Sequence, residues 1–232
     1  MSSSIYLPRR CFVVATGATL AVPWHAHAFS LTDGDAAIGV RTALERGAVA
    51  AVGLLGRNDG FLGNPKVKIP LPGVLEDAAK LLRGLGQGKR VDELIVAMNR
   101  AAEAAVPEAK NLLVGAVKTM SLDDAVGVLK GGERSATQYF ERKTREPIGV
   151  KFLPIVTRAT ERVKLAEKYN RFASRASSMG LMKAEDANVQ QYVTGKALDG
   201  LFLMIGEQEM KIRADPVGTG SAILRRVFGA LK

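Results

Sequence analysis

The chain has 232 residues, with 33 lysines and arginines, 23 aspartates and glutamates, two histidines, one tryptophan and one cysteine. A single thiol excludes an intrachain disulfide framework, and the length is enough for one domain with an apolar core. The formal net charge of +10 at pH 7 favours anionic partners.

The first 28 residues have the composition of an export signal. Arg9 and Arg10 precede an apolar run at 11–22, and the Ala-His-Ala sequence at 26–28 is a small-x-small cleavage site. The run is too short to span a bilayer as a helix, which takes about 20 residues. We therefore expect 1–28 to be a cleaved signal and 29–232 to be a periplasmic protein that does not span the membrane.

Two export routes fit this segment. The residues from Pro8 to Val13 resemble a twin-arginine signal, although Pro8 replaces the usual serine or threonine and Val14 the common lysine. An ordinary secretory signal with two arginines fits equally well. Cleavage by either route removes every histidine, cysteine and tryptophan. Catalytic triads, Cys-His pairs and zinc, haem or iron–sulfur sites then lack their usual side chains, and we expect no metal and no cofactor.

The mature chain shows helical periodicity nearly throughout. Thr32 and Asp35 form a capping box for a helix over 33–55, with an apolar stripe of alanine, valine and leucine. The pattern fails over 56–73, where glycine, asparagine and three prolines predict an extended loop or an edge-like strand. Phe61 and Leu62 lie in this loop, where they suit either recognition of a partner or packing into the core, and we favour packing into the core.

Glycines and prolines separate the helices that follow. The run Gly84, Gly86 and Gly88 resembles a phosphate cradle, but without a preceding strand it favours a plain turn between helices. Pro107 separates the next two helices, and Ser121 with Asp124 forms a second capping box.

Later helices are predicted from the same signals. A helix from Ser135 meets Pro147 and Pro154, so we predict a kink or a new start near Pro154 and continuation to about Ala176. A long helix over 186–213 and a short amphipathic helix around 223–228 complete the chain. The fold class is therefore all-α, a single-domain bundle of about eight helices with one Pro/Gly-rich extended loop at 56–73.

Several short segments carry a family resemblance. They are FLGNP (61–65), IPLP (69–72), MNRAAE (98–103), ATQYF (136–140), FLP (152–154) and KALDGLF (196–202). Together they resemble the bacterial family known as domain of unknown function 4197, over most of the mature chain. The resemblance implies an exported, mostly helical, single-domain envelope protein. It implies no activity, cofactor or catalytic residue.

The excess positive charge lies in one stretch. Residues 141–183 contain eleven basic and four acidic side chains, while the rest of the mature chain is nearly balanced. The candidate anion-binding residues are Arg142, Lys143, Arg145, Lys151, Arg158, Arg162, Lys168 and Arg171. Such a surface attracts phosphate groups, although it also fits a solvated face that keeps the protein dispersed. For an exported protein, anionic lipid or lipopolysaccharide is favoured over nucleic acid.

Two polar clusters are further candidates. Asn99, Arg100 and Glu103 lie on one side of an otherwise apolar helix, where interhelical hydrogen bonding or a pocket lining would explain them. Asp199 borders the apolar run 200–206, so we expect it to be buried and paired with Lys196 or with an arginine from another helix. Glu207–Lys211 and Glu209–Arg213 have the spacing of surface ion pairs.

Three hypotheses remain open from the sequence. The first is a non-enzymatic envelope protein that binds an anionic or amphiphilic partner through the 141–183 helices and an adjacent apolar groove. The second is a hydrolase-like enzyme using Glu103 or Asp199 as acid or base. The third is a structural module that docks on another envelope protein. A closed core favours a scaffold, whereas an apolar cavity rimmed by cations favours ligand binding.

Overall fold

Eight α-helices follow one another in residues 33–215, the part of the chain that a computed structural model describes. They are α1 (Asp33–Leu55), α2 (Gly73–Gly84), α3 (Gly88–Ala105), α4 (Ala109–Lys118), α5 (Leu122–Lys130), α6 (Ser135–Glu161), α7 (Lys164–Ser178) and α8 (Val189–Ala214). Short 3-10 helices occupy Val106–Glu108 and Ala184–Asp186. No strand occurs in the described residues, which confirms the all-α prediction. The predicted leader, the capping box at Thr32 and the helix around 223–228 lie outside them.

The core is centred on α6 and α8, which pack against each other along much of their length. On α6 the buried side chains include Phe140, Ile148 and Phe152, and on α8 they include Leu201. Helix α3 covers α6 from a second side, and α1 packs against α8, α4 and α5. By contrast, α2 packs mainly on α3 and lies at the edge of the bundle.

The prediction of a new helix start near Pro154 was wrong. Helix α6 runs through both Pro147 and Pro154 and ends at Glu161, and the chain breaks instead at Val163, whose backbone is extended. Each proline removes one backbone hydrogen bond and costs about 3 kcal/mol in a helix interior. Both prolines face solvent, where water can reach the freed carbonyls, while the opposite side of α6 is fully buried. Core packing therefore overrides the local signal.

The loop between α1 and α2 spans 56–72 and contains turns but no strand. The Phe61 side chain is fully buried in the core, as predicted. The loop also approaches α8 closely, since a Cβ atom added at Gly200 would lie 2.8 Å from a ring carbon of Phe61. A glycine is therefore needed at position 200 of α8 for the aromatic ring to fit.

Local signals placed several helix ends correctly. The Ser121 hydroxyl accepts a hydrogen bond from the Asp124 amide at 3.0 Å, and the Asp124 carboxylate accepts one from the Ser121 amide at 3.2 Å. Hydrogen bonding of its carboxylate to the Ser121 side chain and to the Ser121 backbone amide lowers the pKa of Asp124. Between α2 and α3, Gly86 adopts a φ of 76°, which is typical of a glycine turn after a helix. The glycine run is thus a turn between helices, as predicted.

Candidate functional site

Asn99 connects α3 to the loop at 56–72. Its Oδ1 accepts a hydrogen bond from the Ile69 amide at 2.8 Å, and its Nδ2 donates to the Ile69 carbonyl at 2.9 Å. The side chain is fully buried, so it supplies the backbone of Ile69 with the partners that a neighbouring strand would otherwise provide. This arrangement explains how an extended segment lies in a helical protein with its buried backbone groups satisfied.

Glu103 and Arg100 hold the first half of the same loop. Glu103 Oε1 accepts hydrogen bonds from the Phe61 and Leu62 amides, both at 3.0 Å. Arg100 donates to Glu103 Oε2 at 2.6 Å and to Asp59 Oδ1 at 2.8 Å. The partner of this cluster is therefore the loop. The interhelical hydrogen bonding that we expected is replaced by these contacts with the loop. Because both carboxylate oxygens of Glu103 are engaged, the geometry favours a structural role over acid–base catalysis.

Glu209 is a buried carboxylate, whereas its spacing to Arg213 predicted a surface ion pair. It lies on α8 and accepts hydrogen bonds from the Ala136 amide at 3.0 Å and the Thr137 amide at 2.9 Å. The Thr137 hydroxyl donates to the same carboxylate at 2.8 Å, and Arg213 forms an ion pair with it at 3.0 Å. Glu209 therefore caps the N-terminus of α6, where unpaired amides and the helix dipole favour an anion.

A signal for this role was present in the sequence. Leu198, Phe202 and Ile205 mark the buried side of α8 at steps of four and three, and Glu209 and then Ile212 continue the same series. A carboxylate at a core position needs partners inside the protein. The i,i+4 spacing to Arg213 was correctly identified as an ion pair, but its burial was not.

Asp199 is paired as expected but is not buried. Arg145 of α6 donates to its carboxylate at 2.6 Å, and Lys196 lies 3.8 Å away. The Asp199 side chain is 51% exposed, because it lies on the solvent side of α8 beside the buried Leu201. Arg145 also pairs with Glu141 at 2.9 Å and lies over the Phe202 ring at 5.8 Å. Arg145 is therefore not a free cation.

Replacing Asp199 by asparagine is expected to change the free energy of unfolding by less than about 1 kcal/mol, as for other exposed ion pairs. Urea unfolding followed by circular dichroism measures this change directly. A loss of several kcal/mol, on the scale of about 3–5 kcal/mol typical of a broken buried pair, would contradict the exposed position of Asp199.

A polar cleft lies beside Asp199 and Lys196. It encloses about 520 Å³ between α8 and the end of the loop, and Lys66, Lys68 and Asp186 also line it. Its positive and negative side chains largely balance, and Lys66 pairs with Glu207 at 2.6 Å, in place of the Glu207–Lys211 pair that we predicted. Burial raises the pKa of the adjacent Tyr192 to about 12, so its phenol stays neutral at physiological pH.

The candidate cations at 141–183 do not form a single cluster. Besides hydrogen bonds from Ser121, the charges of Lys143 and Arg142 lower the pKa of Asp124, which places both cations near α5. Five others are exposed on α6, at its end and on α7, and no ion pair joins them to a described carboxylate. We call these five the basic face: Lys151, Arg158, Arg162, Lys168 and Arg171.

Helical spacing explains the alignment of the basic face. Lys151 and Arg158 are seven residues apart on α6, which is two helical turns, and Arg162 follows four residues later. Helix α7 contains Lys168 and Arg171, three residues apart, opposite its buried Tyr169 and Ala173. Each helix therefore turns an apolar side to the core and a cationic stripe to solvent.

An apolar groove adjoins the basic face between α2, α3 and α7. It encloses about 210 Å³. Its walls are apolar side chains of Leu75, Ala79, Leu82, Val91, Leu94 and Phe172. Three polar side chains, Lys168, Arg90 and Gln87, also line it. The groove thus combines an apolar interior with cations, as an amphiphile site requires.

Within residues 33–215 the structure shows no group of three or more carboxylates that could hold a metal ion. None of the helices in that range is both long enough and apolar enough to cross a membrane.

These features define an all-helical protein in which buried polar side chains hold the loop and the helices together, with a basic face beside an apolar groove. The chain belongs to the family described as protein of unknown function DUF4197, whose family model matches residues 30–229. No curated protein and no solved structure matches it significantly.

Proposed function

We propose that this protein is a non-enzymatic, periplasmic protein that binds the anionic surface of the cell envelope through its basic face. One observation carries the proposal. Five exposed cations recur at helical spacing along α6 and α7 and have no ion pair with a described carboxylate: Lys151, Arg158, Arg162, Lys168 and Arg171. Unpaired cations aligned on successive helices suit a phosphate-rich surface better than a single small anion.

The expected strength of such binding follows from the number of charges. Each lysine or arginine near an anionic bilayer contributes about 1 kcal/mol at moderate ionic strength. The attraction falls when salt shortens the screening length from about 10 Å at 0.1 M to about 3 Å at 1 M. Five cations are therefore enough for reversible, salt-sensitive attachment without a membrane-spanning segment.

The proposed periplasmic location limits which anionic partners the protein can meet. A chain that carries an export signal meets lipid phosphates and lipopolysaccharide after export, and we assign these as the partners in preference to nucleic acid. The carboxylate enzyme has no support from the described residues, because Glu103 is engaged with the loop and Asp199 is paired on an open surface.

Vesicle co-sedimentation tests the proposal. The full chain should bind vesicles that contain phosphatidylglycerol and not vesicles of phosphatidylcholine alone, and salt should release it. Reversing Arg158, Arg162 and Arg171 to glutamate should weaken binding at least about 100-fold, since three cations at about 1 kcal/mol each are lost.

A matched variant controls for net charge. Lys110, Lys118 and Lys130 are exposed on α4 and α5, and their reversal to glutamate gives the same change in net charge. This variant should bind nearly as well as the unchanged protein. Equal weakening in both variants would show that overall charge, and not the basic face, causes binding. Binding to an envelope protein in the absence of lipid would favour the docking-module hypothesis instead.

A further inference from the structure

The groove between α2, α3 and α7 has an apolar interior that no side chain fills. Its volume of about 210 Å³ is far above the 10–15 Å³ that holds one water molecule, so it is more than a packing defect. It is also below the range of about 300–1,000 Å³ that is usual for drug-sized ligands. The space therefore suits one alkyl chain and not the two tails of a phospholipid.

Two cations define which end of a ligand meets the protein surface. Arg90 and Lys168 both line the groove and come from different walls, α3 and α7. Neither forms an ion pair with a described carboxylate, and the Arg90 side chain donates only to that of Gln87, the residue before α3, at 2.9 Å. Charge complementarity thus requires an anionic head group on an apolar chain, and a guanidinium matches a carboxylate in shape.

Helix α2, which forms one wall of the groove, has the exposed apolar side chains expected of a surface that contacts lipid. Leu81 and Leu85, at the end of α2, are the most exposed large apolar side chains among the described residues, at 73% and 77%. Exposed leucines on this helix suit contact with the apolar region of a membrane.

We infer that the groove between α2, α3 and α7 binds the alkyl chain of a fatty acid, whose carboxylate is held by Arg90 and Lys168. This inference rests on the proposed function, because attachment to an anionic membrane brings the groove to its ligand. It goes further in making the protein a carrier of single-chain lipids and not only a surface-bound protein.

Calorimetric titration with dodecanoate below its micelle concentration tests the inference without any bilayer. Ala78 lines the groove, so Ala78→Trp should fill it and weaken dodecanoate binding at least about tenfold. Ala104→Trp adds the same side chain to an exposed alanine of α3 outside the lining and should leave affinity within about twofold. Equal affinities for the two variants would overturn the inference.

A charge-reversal variant gives a second readout in case the tryptophan disturbs folding. Arg90→Glu with Lys168→Glu should abolish dodecanoate binding and create binding of dodecyltrimethylammonium, which has the same chain length and a cationic head. Unchanged preference for dodecanoate would overturn the assignment of these cations.

The two proposals fail in different ways. Vesicle binding without dodecanoate binding would contradict the fatty-acid site and still support membrane binding by the basic face. Dodecanoate binding without vesicle binding would support the fatty-acid site and contradict the proposed attachment to an anionic membrane.

Discussion

Replacing Glu209 by alanine is expected to lower the free energy of unfolding by about 3–5 kcal/mol, the cost typical of removing one partner from a buried ion pair. The substitution removes the acceptor of the buried Ala136 and Thr137 amides and removes the carboxylate that pairs with Arg213. Domains of this kind have a total stability of about 5–15 kcal/mol, so the variant will be near its limit of folding. Urea unfolding with the midpoint and slope fitted together measures the loss.

Glu207→Ala is the matched control for this effect. Glu207 is also a glutamate of α8 with an ion pair, to Lys66 at 2.6 Å, but the Lys66 side chain is 62% exposed. Its removal should cost less than about 1 kcal/mol. Glu209→Gln should fall between the two, because it keeps an acceptor for one amide but loses the charge opposite Arg213. Similar losses for the two alanine variants would show that Glu209 does not cap α6.

The sequence identifies most helices because their signals are local. The capping box at Ser121 and Asp124 requires only residues three apart, and the glycine turn at Gly86 requires only one backbone conformation. Both were therefore predicted correctly. Pro147 and Pro154 are equally local signals, yet α6 continues through both, because burial of Ile148, Phe152 and Val156 on the opposite side outweighs the cost of the prolines.

The candidate site depends on contacts that are distant along the chain. Asn99 was recognised as an unusual polar residue, but its partner Ile69 lies 30 residues away in a segment without periodicity. Glu209 and Thr137 are 72 residues apart. The groove joins α2 to α7, which lie far apart along the chain, and amphipathic spacing shows that each helix has an apolar side without showing which helices face each other. Geometry of this kind has no local signature.

Phe61→Ala is expected to cost about 3–5 kcal/mol, as for other buried aromatic side chains reduced to alanine. The ring is the largest side chain that the loop buries, and its removal leaves a cavity beside α8 next to Gly200. The hydrogen bonds from Glu103 hold the loop backbone in place, so the cavity should collapse only in part. Thermal or urea unfolding gives the magnitude.

A double-mutant cycle with Gly200 tests the contact itself. In the unchanged protein, Gly200→Ala places a methyl group 2.8 Å from the Phe61 ring and should cost about 1–3 kcal/mol through overpacking. In the Phe61→Ala background the clash is gone, and the higher helix propensity of alanine should make the same substitution neutral or stabilising by up to about 1 kcal/mol. The sign of the Gly200→Ala effect therefore depends on Phe61, and additive effects would show that the loop does not pack against α8 at this point.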